Sequence, residues 1–243
     1  MANKSILNII KTVAKLVGVG EPTTATGSTD IQVKQLLALA NEEGQELAAR
    51  YDWTALVREA TYTALGVEDQ GEINGTILAT TVGFDKMLND TIWNRTTMFG
   101  PGGPLSPQSW QALQATVSTS PWSQYRIRQG HLYLKPAPTA GDTLAFEYKT
   151  ENWVSNAAGD ETRAEFTQDD DYPFLDSRLI ERGVVWRWKA AKGLEYAEDF
   201  KKYENAVLDK MTGDGTHSRA SMAGKSDEYA PFVTVPAGNW NLP

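Results

Sequence analysis

The sequence predicts an α+β protein: an antiparallel bundle of about four helices, an inserted β-rich domain of sandwich- or barrel-like build, and an extended C-terminal tail. Three observations lead there. Residues 5–17, 30–52, 174–192 and 195–211 repeat apolar side chains at helical spacing. Between Trp53 and about Phe166 the period shortens toward alternation of β-branched, aromatic and polar residues. Beyond residue 212 neither period is sustained, and Gly, Ser, Ala and Pro dominate. The expected boundaries are therefore 1–53, 54–166, 167–212 and 213–243.

Ser5 to Val17 sets Ile6, Ile9, Ile10, Val13, Leu16 and Val17 on one side and Lys4, Lys11 and Lys15 elsewhere. This is an amphipathic helix, expected to pack on its own domain rather than on a membrane. A Gly-, Thr- and Pro-rich loop fills 18–27. Ser28, Thr29 and Asp30 then offer an N-cap, and Val33, Leu37, Ala40, Gly44, Leu47 and Tyr51 recur at steps of four and three residues. A second long helix is expected, close-packed where Gly44 removes bulk.

After Trp53 the strand candidates are 55–65, 76–82, 125–128, 131–135 and 143–150. The clearest hairpin is QYRIRQGHLYLK (124–135), where Tyr125 and Ile127 alternate with Arg126 and Arg128 and Gln129-Gly130 supplies the turn. Phe84 to Trp93 suits a short helix. GPGGPLSPQSW (100–110) reads as a Pro/Gly loop entering a helical turn capped by Ser106 or Ser109. The acidic stretch 155–172 reads as a linker.

The rest of the chain is organised around 173–211. Leu175, Leu179, Trp186 and Ala190 form one helical stripe, with Ile180, Val184, Trp188 and Ala191 beside it. Gly193 after Lys189 and Lys192 is a cation-then-glycine ending. A second run places Leu194, Ala197, Phe200, Tyr203, Val207 and Met211 inward, so the pair reads as a helical hairpin.

Composition narrows the function. A chain of 243 residues, 41% of them hydrophobic, can bury a sizeable core. No apolar run is long enough to span a bilayer, and the N-terminus lacks a signal-peptide core, so a cytoplasmic product with no membrane partner is expected. With no cysteine there is no disulfide, thiolate nucleophile or Cys-based zinc site. The net charge of −8 argues against tight nucleic-acid binding, and the acidity lies in residues 1–172, with 13 basic and 21 acidic side chains.

Candidate chemistry is sparse. Of the two histidines, His131 falls in a strand candidate and His217 in the C-terminal tail, and neither is expected to be catalytic. Asp169, Asp170 and Asp171 lack the alternating spacing of a calcium loop and are expected to cap the helix that follows. GPGG at 100–103 lacks the Lys-Ser/Thr of a phosphate loop. Trp93, Trp110, Trp122, Trp153, Trp186 and Trp188 are expected in cores. Glu147 with Glu151, or Glu161 with Glu165, are weak candidates for a glycosidase pair. No catalytic residue, cofactor or metal is expected.

Six segments also resemble, in order, the head-to-tail connector (adaptor) proteins of tailed bacteriophages, chiefly short-tailed ones. They are GSTDIQVKQLLALANEEGQELAARYDW (27–53), VREATYT (57–63), FDKMLNDTIWNRT (84–96), GPLSPQSWQAL (103–113), FEYKTENWV (146–154) and LIERGVVWRWKAAKGLEY (179–196). The resemblance spans roughly 5–211. It implies a non-enzymatic structural virion protein: a homo-oligomeric ring of about a dozen copies beneath the portal protein. Such a ring joins capsid to tail and surrounds a channel where double-stranded DNA is retained and ejected. Its copies are assembled in the host cytoplasm and end at the virion's head-tail junction. Met222, Tyr229, Phe232, Val233, Val235 and Trp240 are the expected tail contacts to a neighbouring subunit, the portal, or a tail tube or nozzle protein. The alternative is a tail-associated cell-wall-degrading enzyme or a carbohydrate-binding tail module, the latter requiring several exposed aromatics on one face.

Overall fold

The two spacings, helical at the ends and alternating between them, carry into three dimensions. The computed structural model describes residues 3–116 and 122–214, and among these it is a mixed α+β structure with five α-helices and three antiparallel sheets. The helices are α1 (Ile6–Val17), α2 (Ile31–Arg50), α3 (Pro107–Ala115), α4 (Ser177–Ala191) and α5 (Ala197–Gly213). The strands are β1 (Val57–Thr63), β2 (Asp69–Glu72), β3 (Phe84–Met87), β4 (Trp93–Asn94), β5 (Gln124–Arg128), β6 (His131–Lys135), β7 (Thr143–Thr150), β8 (Val154–Ser155), β9 (Thr162–Arg163) and β10 (Tyr172–Pro173). None of the described helices is long and apolar enough to cross a membrane.

Local chemistry sets the helix ends. Asp30 caps α2 by accepting from Gln32 N at 2.8 Å, and Ser106 caps α3 by accepting from Ser109 N at 3.1 Å. Gly193 closes α4 with φ 67°, a left-handed turn that glycine takes without strain. The cap of α4 is Asp176, which accepts from Arg178 N at 3.0 Å, so the expected capping by Asp169–Asp171 does not occur.

One hydrophobic core gathers α1, α2, α4 and α5. Its centre holds Ile9, Ile10, Leu36, Leu47, Ile180, Val184 and Tyr203, and it also takes in Trp53, Leu56, Trp153 and Phe166 from outside the helices. Helices α2 and α4 run antiparallel: Lys192 reaches Gln35 at one end, and Arg187 meets Glu43 further along. The inward stripe expected on α5 is narrower than its spacing suggests. Tyr203 and Val207 are buried, whereas Leu194, Ala197 and Phe200 face outward, because α5 packs chiefly on α4 and meets α2 through Glu204, which is ion-paired to Arg50.

A second core, with Ile73, Met87, Ile92, Tyr125, Leu132, Leu134, Leu144, Phe146 and Tyr148, lies among the strands. Strand β7 is its spine. It pairs with β1 on one side, from Val57↔Lys149 to Thr63↔Thr143, and with β3 and β4 on the other. Strand β6 sits between β2 and β5, and the expected turn after β5 is present, with Gln129 at φ 53° and Gly130 at φ 77°.

Three expectations for this region are corrected. Residues 76–82 are a turn and a short 3-10 helix rather than a strand, because the N–H groups of Thr76 and Ile77 return to Glu72 O at 3.0 Å instead of joining a ladder. The helix expected over 84–93 is two strands: the Phe84, Met87, Leu88 spacing imitates a helix, but Phe84 and Met87 pair with β7 and Asp90 turns the chain back at φ 62°. The linker 155–172 is ordered. Its polar side chains supply the partners that a core does not: Asn156 Oδ1 accepts from Gly159 N at 2.8 Å, and β9 pairs with β8.

Candidate functional site

Where the sequence placed candidate residues, the structure gives three outcomes. Met222, Tyr229, Phe232, Val233, Val235 and Trp240, like His217, lie outside the described residues. His131, on β6, has Nδ1 3.1 Å and 3.2 Å from the two oxygens of Asp69 on the neighbouring β2. Desolvation pushes the Asp69 carboxyl up, but the Gly71 N–H and His131 together hold it below its ordinary value. That is a cross-strand pair. Glu147 lies directly opposite Glu59 of β1, which is ion-paired to Arg95, while Glu151 lies beyond the end of β7 and Glu161 is taken by Arg163.

The acid-rich segment clamps loops. Asp169 Oδ1 accepts from Ala25 N (2.9 Å), Thr26 N (2.8 Å) and Thr26 Oγ1 (2.9 Å), fastening the loop before α2 to the segment before α4. Desolvation raises its carboxyl, and these donors more than offset it, so Asp169 sits below its ordinary range. Asp171, fully buried, accepts from Thr167 N and Gln168 N, both at 2.8 Å, and meets Arg163 at 3.3 Å.

Between α2 and α4 lies a buried ionic junction that sequence reasoning missed. Arg187 bonds Glu43 Oε2 through Nε at 2.7 Å and Glu42 at 2.8 Å, and also reaches Glu46. Its guanidinium lies over the Trp186 ring, 4.7 Å from the centroid. Glu43 is fully buried against Gly183: a Cβ there would stand 2.1 Å from Glu43 Cδ. Burial pushes the Glu43 carboxyl up, with Tyr203 and Arg187 pulling it back. Tyr203 stands beside Glu43, and neither Glu43 Oε1 nor Tyr203 Oη completes a full hydrogen bond among the described residues. The 3.6-residue period could have shown Glu43 on the inner face of α2, next to Ala40, Gly44 and Leu47.

Two surfaces stand out. At the junction of α4 and α5, Trp186 packs edge-on against Phe200 (5.1 Å between centroids) and lies near Tyr196 and Tyr203, with Tyr196 and Phe200 exposed. On the strands, a groove of about 790 Å³ opens between the turn after β4 and the loop before β7. Trp122, expected in a core, is instead 60% exposed here, 4.4 Å from Phe99. Trp93 is half-buried at its edge, while Trp110, Trp153 and Trp188 are buried as expected. Among the described residues no group of three His, Asp or Glu side chains could hold a metal ion. The chain matches no protein-family model, and it has no significant match among curated proteins.

Proposed function

We propose that this chain is a structural virion protein, a head-to-tail connector whose copies form a ring beneath the portal, join capsid to tail and surround the DNA channel. In this reading α1, α2, α4 and α5 form one bundle and the strands between Trp53 and Phe166 form a domain inserted into it. The resemblance that motivates it runs through α2, β1, β3 with β4, α3, β7 and α4 in order. The observation that carries most weight is the aromatic cluster of Trp186, Tyr196 and Phe200, left at the surface of the resembling α4–α5 hairpin. Apolar groups gathered at one surface mark interaction sites, and a repeated subunit seam is the use a ring has for them. Residues 215–243 would add contacts through Met222, Tyr229, Phe232, Val233, Val235 and Trp240 to a neighbouring subunit, the portal or a tail nozzle protein.

Electron microscopy of the purified full-length chain, alone and mixed with the cognate portal protein, tests the proposal. Closed rings with a central channel, formed alone or on portal, are expected. A monomer that stays monomeric and ignores portal overturns it.

A further inference from the structure

The groove beside Trp122 has the makings of a ligand site independent of any ring. Its floor holds one charged side chain, Asp142, only 7% exposed. One carboxylate oxygen accepts from Asn94 Nδ2 at 2.8 Å; the other has no hydrogen-bond partner among the described residues. Asn94 is itself locked, its Oδ1 accepting from Thr96 N and Thr97 N, both at 3.0 Å. The acceptor is therefore held in place by a second, fixed side chain. The same groove is lined by Trp93, Phe99 and Trp122, and by Thr97 and Thr139. The volume lies within the range of small-molecule sites.

This combination selects its ligand. A carboxylate oxygen that reaches the groove calls for a donor, and aromatic side chains call for apolar C–H surface. An anion would meet Asp142 with no cation among the described lining residues to offset it. A compact ammonium would satisfy Asp142 but leave the Thr97 and Thr139 hydroxyls unengaged along the trough. A pyranose offers both kinds of surface at once, a C–H face for the rings and a hydroxyl edge for Asp142 and the threonines. We propose that this groove binds a short stretch of uncharged polysaccharide, stacked on Trp122 and hydrogen-bonded to Asp142.

The test is saturation-transfer NMR on the full-length protein. The probes are short neutral oligomers of glucose, galactose, mannose, rhamnose and N-acetylglucosamine, with triarginine as a cationic competitor. At least one oligosaccharide is expected to bind, and Trp122→Ala and Asp142→Asn should each weaken it about tenfold or more while keeping the wild-type melting temperature. If Asp142→Asn melts early, the exposed Trp122 carries the decision. Three results overturn the proposal: no oligosaccharide binds, binding survives Trp122→Ala unchanged, or triarginine occupies the groove and no sugar displaces it.

Discussion

Trp153 occupies the space that a side chain at Gly44 would need: a Cβ on residue 44 would lie 2.0 Å from the indole Cη2. The neighbouring ring atoms, at 2.3 Å, block the same space, and Phe166 packs edge-on against the other side of the indole at 4.8 Å. Gly44→Ala should thus lower stability by about 2 kcal/mol, because overpacking outweighs the ~1 kcal/mol gained in helix propensity. A urea midpoint at or above wild type would show that Trp153 moves aside.

The same geometry ranks the tryptophans. Trp153→Ala empties a fully buried site and is expected to cost about 3–5 kcal/mol. Trp186 is only half-buried, so Trp186→Ala should cost less, about 2 kcal/mol. Chemical denaturation of the two variants side by side checks the order; a larger loss at Trp186 would place it at the heart of the core.

Much of this was legible beforehand, and the reason is local. The helices and the 124–135 hairpin announce themselves because apolar period, caps and a Gln-Gly turn act within a few residues of each other. Gly44 was visible as a close-packing point, but its partner Trp153 lies more than a hundred residues away. The ordering of 155–172 was hidden because Asn156, Asp169 and Asp171 build it from hydrogen bonds that composition does not encode. The groove was hidden for a related reason: Trp93, Trp122 and Asp142 come from three segments that meet only through β7 and its neighbours.

Acid titration separates two carboxylates of opposite sign. Asp169 has a depressed folded pKa, so its contribution is present above about pH 3.9 and is lost as pH falls through the folded value. Asp169→Asn should cost about 1 kcal/mol at pH 7, and the gap to wild type should close on acidification. Glu43 is raised, so between its unfolded value and its folded one the native state holds more protons, and stability falls as pH rises through that window. Wild type should gain on Glu43→Gln as pH drops from 7 toward about 4.5. A constant gap for Glu43→Gln between pH 7 and about 4.5, or for Asp169→Asn as pH falls below about 3.9, would contradict the assignment.

Thr54, just before β1, is held by the last described residue: Asp214 Oδ2 accepts from Thr54 N at 2.8 Å and Oδ1 from Thr54 Oγ1 at 2.6 Å. Asp214→Ala should remove about 1 kcal/mol and let the end of α5 open. Hydrogen exchange should quicken at residues 208–214 and at Thr54; protection unchanged at both would show the contact to be idle.

Weak DNA contact follows from the acidic balance, if the chain lines a conduit. Each Lys or Arg on a phosphate adds affinity, and hence drag on a moving genome. Titration against duplex DNA should give no submicromolar binding at moderate salt. Tight binding lost steeply on adding salt, or a ring of Lys and Arg around the bore of an assembled particle, would sink the idea.

The path of the chain between the cores also has a mechanical meaning. Trp53 and Trp153 are both seated among the helices, and β1 and β7 lie only a few residues from each, paired where Val57 meets Lys149. Lys149, with Nζ 3.5 Å from Asp52 and 3.6 Å from Asp85, pins that spot. The two crossings therefore form a two-ply strap rather than a pair of loose threads. A two-stranded strap bends out of its own plane more easily than sideways within it. A pull along it loads the β1–β7 bonds together in shear, since those bonds run across the strands. Tension between Trp53 or Trp153 and the sheet would be carried by those bonds as a set, and not by one bond at a time.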